Sequence, residues 1–184
     1  MPGRRGPRDK SAGERPEPDA ESAMETAIHF LGARPRTRWE LERRLRRAAA
    51  SHEVIETTLE RLAMMGHVDD VAFTRWWAEQ RDRHAPRGRR MVEAELRQHG
   101  VPREVLESLR GSELAEPGRD GEMLPGNEAE RARVALERYL KGRALPTDIR
   151  SIQRFGGFLM RRGFDPETVR ATLRFAAAVE IADD

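Results

Sequence analysis

Residues 34–55 read RPRTRWELERRLRRAAASHEVI, and the fold is decided there. Leu41 and Leu45 stand four residues apart and so share one face of a helix. Thr37-x-x-Glu40 opens that helix as a capping box, in which each side chain satisfies a backbone N–H left without a partner in the first turn. Ala49 marks a turn, and Ala50 and Ile55 carry the apolar pattern into a second helix. One short segment therefore encodes a helix, a tight turn and another helix.

The same pattern returns twice. Superposing Ala49, Gly100 and Gly163 aligns Leu41 with Val92 and Phe155, Leu45 with Leu96 and Leu159, Ala50 with Val101 and Phe164, and Ile55 with Leu106 and Val169. The reference positions are 51 and 63 residues apart, and the surplus in the second interval matches a Gly/Pro-rich stretch at 111–126. Ahead of each pair lies a further predicted helix: Ser22–Leu31, Asp70–Arg83 and Asn127–Leu140. Further cap signals are Ser22-x-x-Glu25, Asn127-x-x-Glu130 and Asp165-Pro166, and Gly66, Gly100 and Gly163 sit where helices should stop. The expected fold is all-α: three tandem three-helix repeats in an elongated, curved helical array. The expected boundaries are a disordered N-terminal tail at 1–20, repeat 1 at 21–67, repeat 2 at 68–110, a linker or insertion at 111–126, and repeat 3 at 127–178. Units this small should draw part of their stability from their neighbours.

Composition agrees with a thin core spread along packed helices, since aromatic residues make up 5% of the chain and charged residues 36%. A compact β-sandwich is a poor fit. With no cysteine, disulfides, thiolate zinc sites and cysteine catalysis are excluded. Residues 1–10 have no apolar core of the signal-peptide kind, and no apolar run approaches the ~20 residues of a membrane span. A cytoplasmic location and no membrane partner are expected.

Catalytic patterns are missing. His29, His52, His67, His84 and His99 are scattered singly, with no pair at ligand spacing. Gly156-Gly157 lies inside an apolar helical stretch, where close helix packing explains it better than a phosphate cradle, and Asp69-Asp70 stands where a helix N-terminus favours acidic groups. No enzymatic activity, cofactor or metal is expected.

The placement of arginine is more informative. Lys10 and Lys141 are the only lysines, so the formal charge of +2 rests on arginine against Asp and Glu. Seven arginines fall between Arg34 and Arg47 against Glu40 and Glu42, and a second basic stretch surrounds Pro86-Arg87-Gly88 in the next unit. A basic stripe repeated on one helix of each unit suits a polyanion or an acidic protein groove. On a helical wheel Trp39, Arg43 and Arg46 fall opposite Leu41. That arrangement fits base stacking, insertion into a protein cleft, or packing of Trp39 on a neighbouring unit. Trp76 and Trp77 join Phe73 in one stripe and read as core. The contact candidates are Arg34, Arg36, Arg38, Trp39, Arg43, Arg46, Arg47, Arg83, Arg87, Arg89, Arg90 and Arg97.

Arg34-Pro35-Arg36 with Glu40-Leu41, then Val54-Ile55, Leu59, Leu62, Gly66, Asp69-Asp70 and Phe73, then Pro86-Arg87 and Glu95-Leu96-Arg97-Gln98-His99-Gly100-Val101, resemble the bacterial RecX family. Over 127–176 the resemblance rests on the repeat pattern with Gly163 and Phe164. It implies three tandem three-helix repeats, binding along the groove of the filament that RecA recombinase forms on DNA, and modulation, mainly inhibition, of RecA's ATP hydrolysis and strand exchange in DNA repair and recombination. The implied partners are RecA and its filament, with weak direct DNA binding, for a monomeric chain. A stand-alone helical DNA-binding module acting through arginine–phosphate contacts is the alternative, and a helical scaffold for some other protein is a third reading. The chain departs from the family pattern at Ala49, where glycine is usual, at the 111–126 insertion, and in the tail before residue 20.

Overall fold

The computed structural model describes residues 17–112, 128–141, 143 and 148–183. Among them the secondary structure is all helical: α1 (Ala20–Leu31), α2 (Arg38–Arg47), α3 (His52–Met64), α4 (Asp70–His84), α5 (Arg89–Gln98), α6 (Arg103–Ser112), α7 (Glu128–Leu140), α8 (Ile149–Arg161) and α9 (Pro166–Asp183). The expected tail and insertion fall largely outside the described residues, as does the Asn127 cap.

Each successive trio of helices encloses its own apolar cluster. Leu41, Leu45, Ile55, Leu59 and Leu62 close over Ala23 and Ala27 in the first. Phe73, Val92, Leu96, Val101 and Leu106 form the second, with Trp76 and Trp77 packed against it. Ala135, Leu136, Phe155, Leu159, Phe164 and Val169 form the third. Positions matched by aligning the sequence on itself are thus the positions that meet inside each unit. The small Ala23, Ala27, Ala132 and Ala135 let the first helix of a unit lie close to the other two, because close packing needs small residues opposite large ones.

The caps follow the local chemistry with one exception. Thr37 and Glu40 form the complete capping box, Asp69 accepts from the N–H groups of Val71 and Ala72 at 2.8 and 3.0 Å, and Asp165 accepts from Glu167 and Thr168, both at 2.9 Å. Ser22 is not a cap. Helix α1 starts earlier, and Asp19 accepts from the Ser22 N–H at 2.9 Å; an ionised carboxylate in front of Ser22 takes the first-turn donors more strongly than the serine hydroxyl.

The turns at Ala49, Gly100 and Gly163 are left-handed, with φ of 65°, 75° and 87°. Two of them form the joints between units. The Gly100 turn presses on the start of α2, where a Cβ would come within 2.4 Å of Trp39, and the Gly163 turn presses on the start of α5, where a Cβ would come within 2.6 Å of Met91. The residue before each glycine offers its carbonyl to the N-cap of the preceding unit's second helix. His99 accepts from the Thr37 hydroxyl at 2.6 Å, and Arg162 accepts from the Gly88 N–H at 2.9 Å. Gly88 is crowded in turn, because a Cβ there would fall 2.1 Å from the Gly163 carbonyl oxygen. Ala49 occupies the same turn of the first unit, which has no preceding unit docked on it among the described residues. Its Cβ therefore meets only the intrinsic cost of the left-handed region, about 1–2 kcal/mol.

These glycines should separate in a stability measurement. Gly100→Ala adds steric contact with Trp39 to backbone strain and is expected to cost about 2 kcal/mol or more by chemical denaturation. Ala49→Gly, which relieves strain at the expense of unfolded-state entropy, should change stability by less than about 1 kcal/mol. Equal losses at the two sites would show that the joint adds nothing to the turn.

Candidate interaction surface

The arginines chosen from sequence divide into two groups once the helices are assembled. Arg34, Arg36 and Arg87 face inward. Arg34 makes a two-point contact with Glu40, 2.6 Å to one carboxylate oxygen and 3.2 Å to the other, and its guanidinium lies 5.8 Å from the Phe73 ring across the first joint. Arg36 stacks 3.9 Å from the Phe30 ring and donates to the Phe30 carbonyl at 3.3 Å. Arg87 pairs with the buried Glu95, which also accepts from Trp77 Nε1 at 2.9 Å and Arg81 Nε at 2.6 Å. Burial lowers the pKa of Arg87, with Arg81 and Arg162 adding repulsion; arginine stays charged all the same. Arg38 is intermediate, its backbone N–H donating to Asp70 at 3.0 Å and its guanidinium to Glu56 at 2.7 Å.

Arg43, Arg46, Arg47, Arg83, Arg89, Arg90 and Arg97 are exposed. Arg46 pairs with Glu42 and Arg97 with Glu93 along their own helices, contacts of modest strength at a surface. Among the described residues no ion pair engages Arg43, Arg47, Arg89 or Arg90. Trp39 is 39% exposed, with one side against the Gly100 turn and Arg43 5.1 Å from its ring. Its packing on the neighbouring unit and its offered edge are thus both realised. Arg83 lends its backbone carbonyl to Arg138 at 3.1 Å across the second joint, leaving its side chain outward.

Arg150, Arg154 and Arg161 on α8 were not singled out from sequence, and all three are exposed. The alignment of Gly100 with Gly163 makes α8 the counterpart of α5 but sets Arg150, Arg154 and Arg161 against Arg87, Met91 and Gln98, so it signals the helix without pointing to these three positions.

At the first joint Glu40 is the charged centre. It holds Arg34, sits 3.0 Å from His99 Nδ1 and caps α2, while His99 stacks edge-on against Trp77 at 4.3 Å and Phe73 at 5.6 Å. Burial pushes the Glu40 carboxyl up, but hydrogen bonds from Arg34 and His99 outweigh it and hold the pKa below the usual carboxylate value. Asp70, raised chiefly by burial and accepting from the Arg38 N–H, lies on the other side of the same joint. Among the described residues, no group of three or more His, Asp or Glu side chains is placed to hold a metal ion, and no helix is long and apolar enough to cross a membrane.

Three family models match along the chain: RecX, first three-helix domain, over residues 23–62; RecX, second three-helix domain, over 69–108; and RecX, third three-helix domain, over 127–173. The chain belongs to the RecX family. It is 38% identical over 165 residues to the regulatory protein RecX of Thermobifida fusca, a match covering 88% of this chain and 81% of the relative. It is 34% identical over 158 residues to that of Prosthecochloris aestuarii, covering 84% of this chain and 93% of the relative. The crystal structure of RecX from Lactobacillus salivarius has the same fold, with a TM-score of 0.69 over 87% of this chain and 97% of that one at 14% identity. Its relatives are regulatory proteins by name, and the family's three-helix domains coincide with the three apolar clusters.

The Glu40 network gives a pH dependence with a definite sign. Its pKa is depressed on folding, so its contribution is present above the unfolded-state pKa of about 4.3 and is lost as pH falls through the lower folded value. Glu40→Gln should therefore be less stable than the unaltered chain at neutral pH, with the gap closing towards pH 3 in denaturation midpoints. Taking the difference between the two proteins removes most of the opposite contribution of Asp70, which is raised chiefly by burial and only in small part by the charge of Glu40. A constant gap across that range would remove Glu40 as an ionised clasp.

Proposed function

We propose that this chain is a non-enzymatic regulator of the RecA recombinase, acting in the cytoplasm as a monomer. It binds RecA and the nucleoprotein filament that RecA forms on DNA, and its main effect is inhibition of ATP hydrolysis and strand exchange. Membership of the RecX family is the observation that carries this reading. The exposed arginines of α2 and α5 support it, because they lie at the starts and outer faces of equivalent helices in consecutive units and can meet a repeating acidic surface more than once. Several weak contacts linked on one frame bind far more tightly than any alone.

A polymer of RecA on DNA presents the same groove many times, so a ligand with repeated units gains from registering with it. Bare DNA offers only phosphates and should bind more weakly, with an affinity that falls steeply with salt. Comparing binding to a RecA filament with binding to DNA alone separates this reading from that of an independent DNA-binding module, for which the two affinities would be similar.

Two charge variants test the basic faces. Arg43→Glu with Arg47→Glu alters exposed positions on α2, and Arg89→Gln with Arg90→Glu does the same on α5. The change at 89 is kept neutral because a Glu128 carboxylate oxygen lies 3.2 Å from the Arg89 backbone N. Thermal melting should move little, since surface substitutions usually stay within about 0.5 kcal/mol. The concentration needed for half-inhibition of RecA ATP hydrolysis should rise about tenfold, corresponding to about 1.4 kcal/mol. Unchanged inhibition in both variants would reduce these stripes to solvated faces. The purified chain itself should hydrolyse no ATP; steady turnover abolished by a point mutation in this chain would overturn the non-enzymatic reading.

A further inference from the structure

The arginines of α2 and α5 share their helices with acids, Glu40 and Glu42 on the first and Glu93 and Glu95 on the second. Helix α8 has none: IRSIQRFGGFLMR carries three arginines and no carboxylate. The acid ahead of it, Asp148, caps the helix by accepting from the Ser151 N–H at 2.9 Å, and Arg154 acts on it only as a secondary charge. Arg150, Arg154, Gly157 and Arg161 fall at i, i+4, i+7 and i+11, a single stripe about 16 Å long on the face opposite Phe155 and Leu159. All three arginines are exposed, and among the described residues no ion pair engages them. Unlike the basic faces of the first two units, this one carries no acid on its own helix.

The middle of the stripe is bare backbone. A Cβ at Gly157 would meet only the tip of Arg161, at 3.2 Å, whereas Gly156 faces Leu173 and Val169 of α9. Gly156 thus lies on the packed side of α8, where a Cβ would make ordinary contact, and Gly157 lies on the outer side. The Arg161 guanidinium folds back over this notch, and once it turns outward to a ligand a thin, charged chain can lie close to the helix axis between Arg154 and Arg161. To one side of the stripe stand Ile149 and Met160, 72% and 45% exposed, with Gln153 between them and the stripe on the wheel. Apolar surface flanking a line of guanidinium groups matches a strand whose phosphates follow the charges and whose sugars and bases fall to one side. A protein partner would call for a buried anchor at the centre of the contact, and here the centre has no side chain.

We propose that the α8 stripe of Arg150, Arg154 and Arg161, notched at Gly157, is a binding site for the phosphate backbone of single-stranded nucleic acid. The site sits one joint away from the α5 face, so a filament contact and a strand contact need not compete for the same arginines. The proposal deepens the regulatory reading only in assigning the nucleic-acid contact to the third unit.

The test is fluorescence anisotropy of a labelled oligothymidylate with the full chain and with Arg150→Gln/Arg154→Gln/Arg161→Gln, across a series of salt concentrations. The triple variant should bind at least about tenfold more weakly at low salt, and the slope of log affinity against log salt should fall by about two, as removal of three single-strand phosphate contacts requires. A matched variant, Arg43→Gln/Arg44→Gln/Arg47→Gln on α2, removes equal charge and should weaken binding less than about threefold. Gly157→Gln, which fills the notch while leaving every charge, should lower affinity without altering the salt slope, and circular dichroism establishes that each variant keeps its helices. Equal losses in the α2 and α8 variants would overturn the site, as would no detectable binding by the unaltered chain at low salt. Competition by polyglutamate as effective as that by unlabelled oligothymidylate would assign the stripe to an acidic protein instead and would equally overturn it. RecA ATPase inhibition by the unaltered chain, measured in parallel, judges the regulatory reading separately, because the anisotropy experiment contains no RecA.

Discussion

The structure depends on a left-handed turn that carries no side chain. At Gly100 and again at Gly163 the missing Cβ lets the turn of one unit press on the second helix of the unit before it, and the adjacent carbonyl then reaches that helix's N-cap. Both halves of this contact matter. The close approach brings the units together, and the hydrogen bond satisfies a carbonyl at a helix C-terminus with a donor from a helix N-terminus, where each would otherwise need water. The cap chemistry differs, a threonine hydroxyl in one joint and a glycine N–H in the other, while the geometry repeats.

Much of the chain's polar chemistry serves these joints. Arg162 donates from its side chain to the Pro86 carbonyl at 3.1 Å, Arg138 donates to the Arg83 carbonyl, and Arg131 faces Asp82 at 3.8 Å with both side chains largely buried. At the first joint Glu40 gathers Arg34 and His99. A set of hydrogen-bonded, charged contacts fixes orientation more than it adds net stability, because desolvation offsets much of the Coulomb attraction. The apolar clusters hold each unit together, and the polar joints set one unit against the next.

That division also sorts the arginines. A guanidinium beside a buried carboxylate, as at Arg87 and Glu95, is part of the scaffold, and its positive charge is partly offset where it stands, Arg81 sharing the same carboxylate. One on an outer helix face that no ion pair engages among the described residues, as at Arg47, Arg90 or Arg154, contributes to the field a partner meets. The surface charge therefore differs from the charge along the sequence. The Arg34–Arg47 run loses part of its strength to Glu40, Glu42 and Glu56, whereas among the described residues no ion pair engages the fewer arginines of α8.

The sequence by itself determined the helices, their turns and their division into three units. Apolar positions four apart, capping side chains and left-handed glycines are local signals, and Leu41, Leu45, Thr37, Gly100 and Gly163 acted as their chemistry dictated. It also carried the family resemblance, through short-range motifs around Arg34–Leu41 and Gly66–Phe73. Where two caps competed, at Asp19 and Ser22, the pattern alone chose the wrong one, since the choice turns on which oxygen reaches the first-turn donors. Tertiary structure alone decided which arginines are available. Arg34 pairs with a glutamate six residues away and meets an aromatic ring 39 residues further along, and Asp70, read as a second capping acid beside Asp69, reaches across a joint to the Arg38 N–H. No periodicity encodes such partners, because they are set by the angle at which one unit docks on another. That angle follows from the absence of a single methyl group at Gly100 and Gly163, and its consequences appear only when the surfaces on both sides of the turn are assembled.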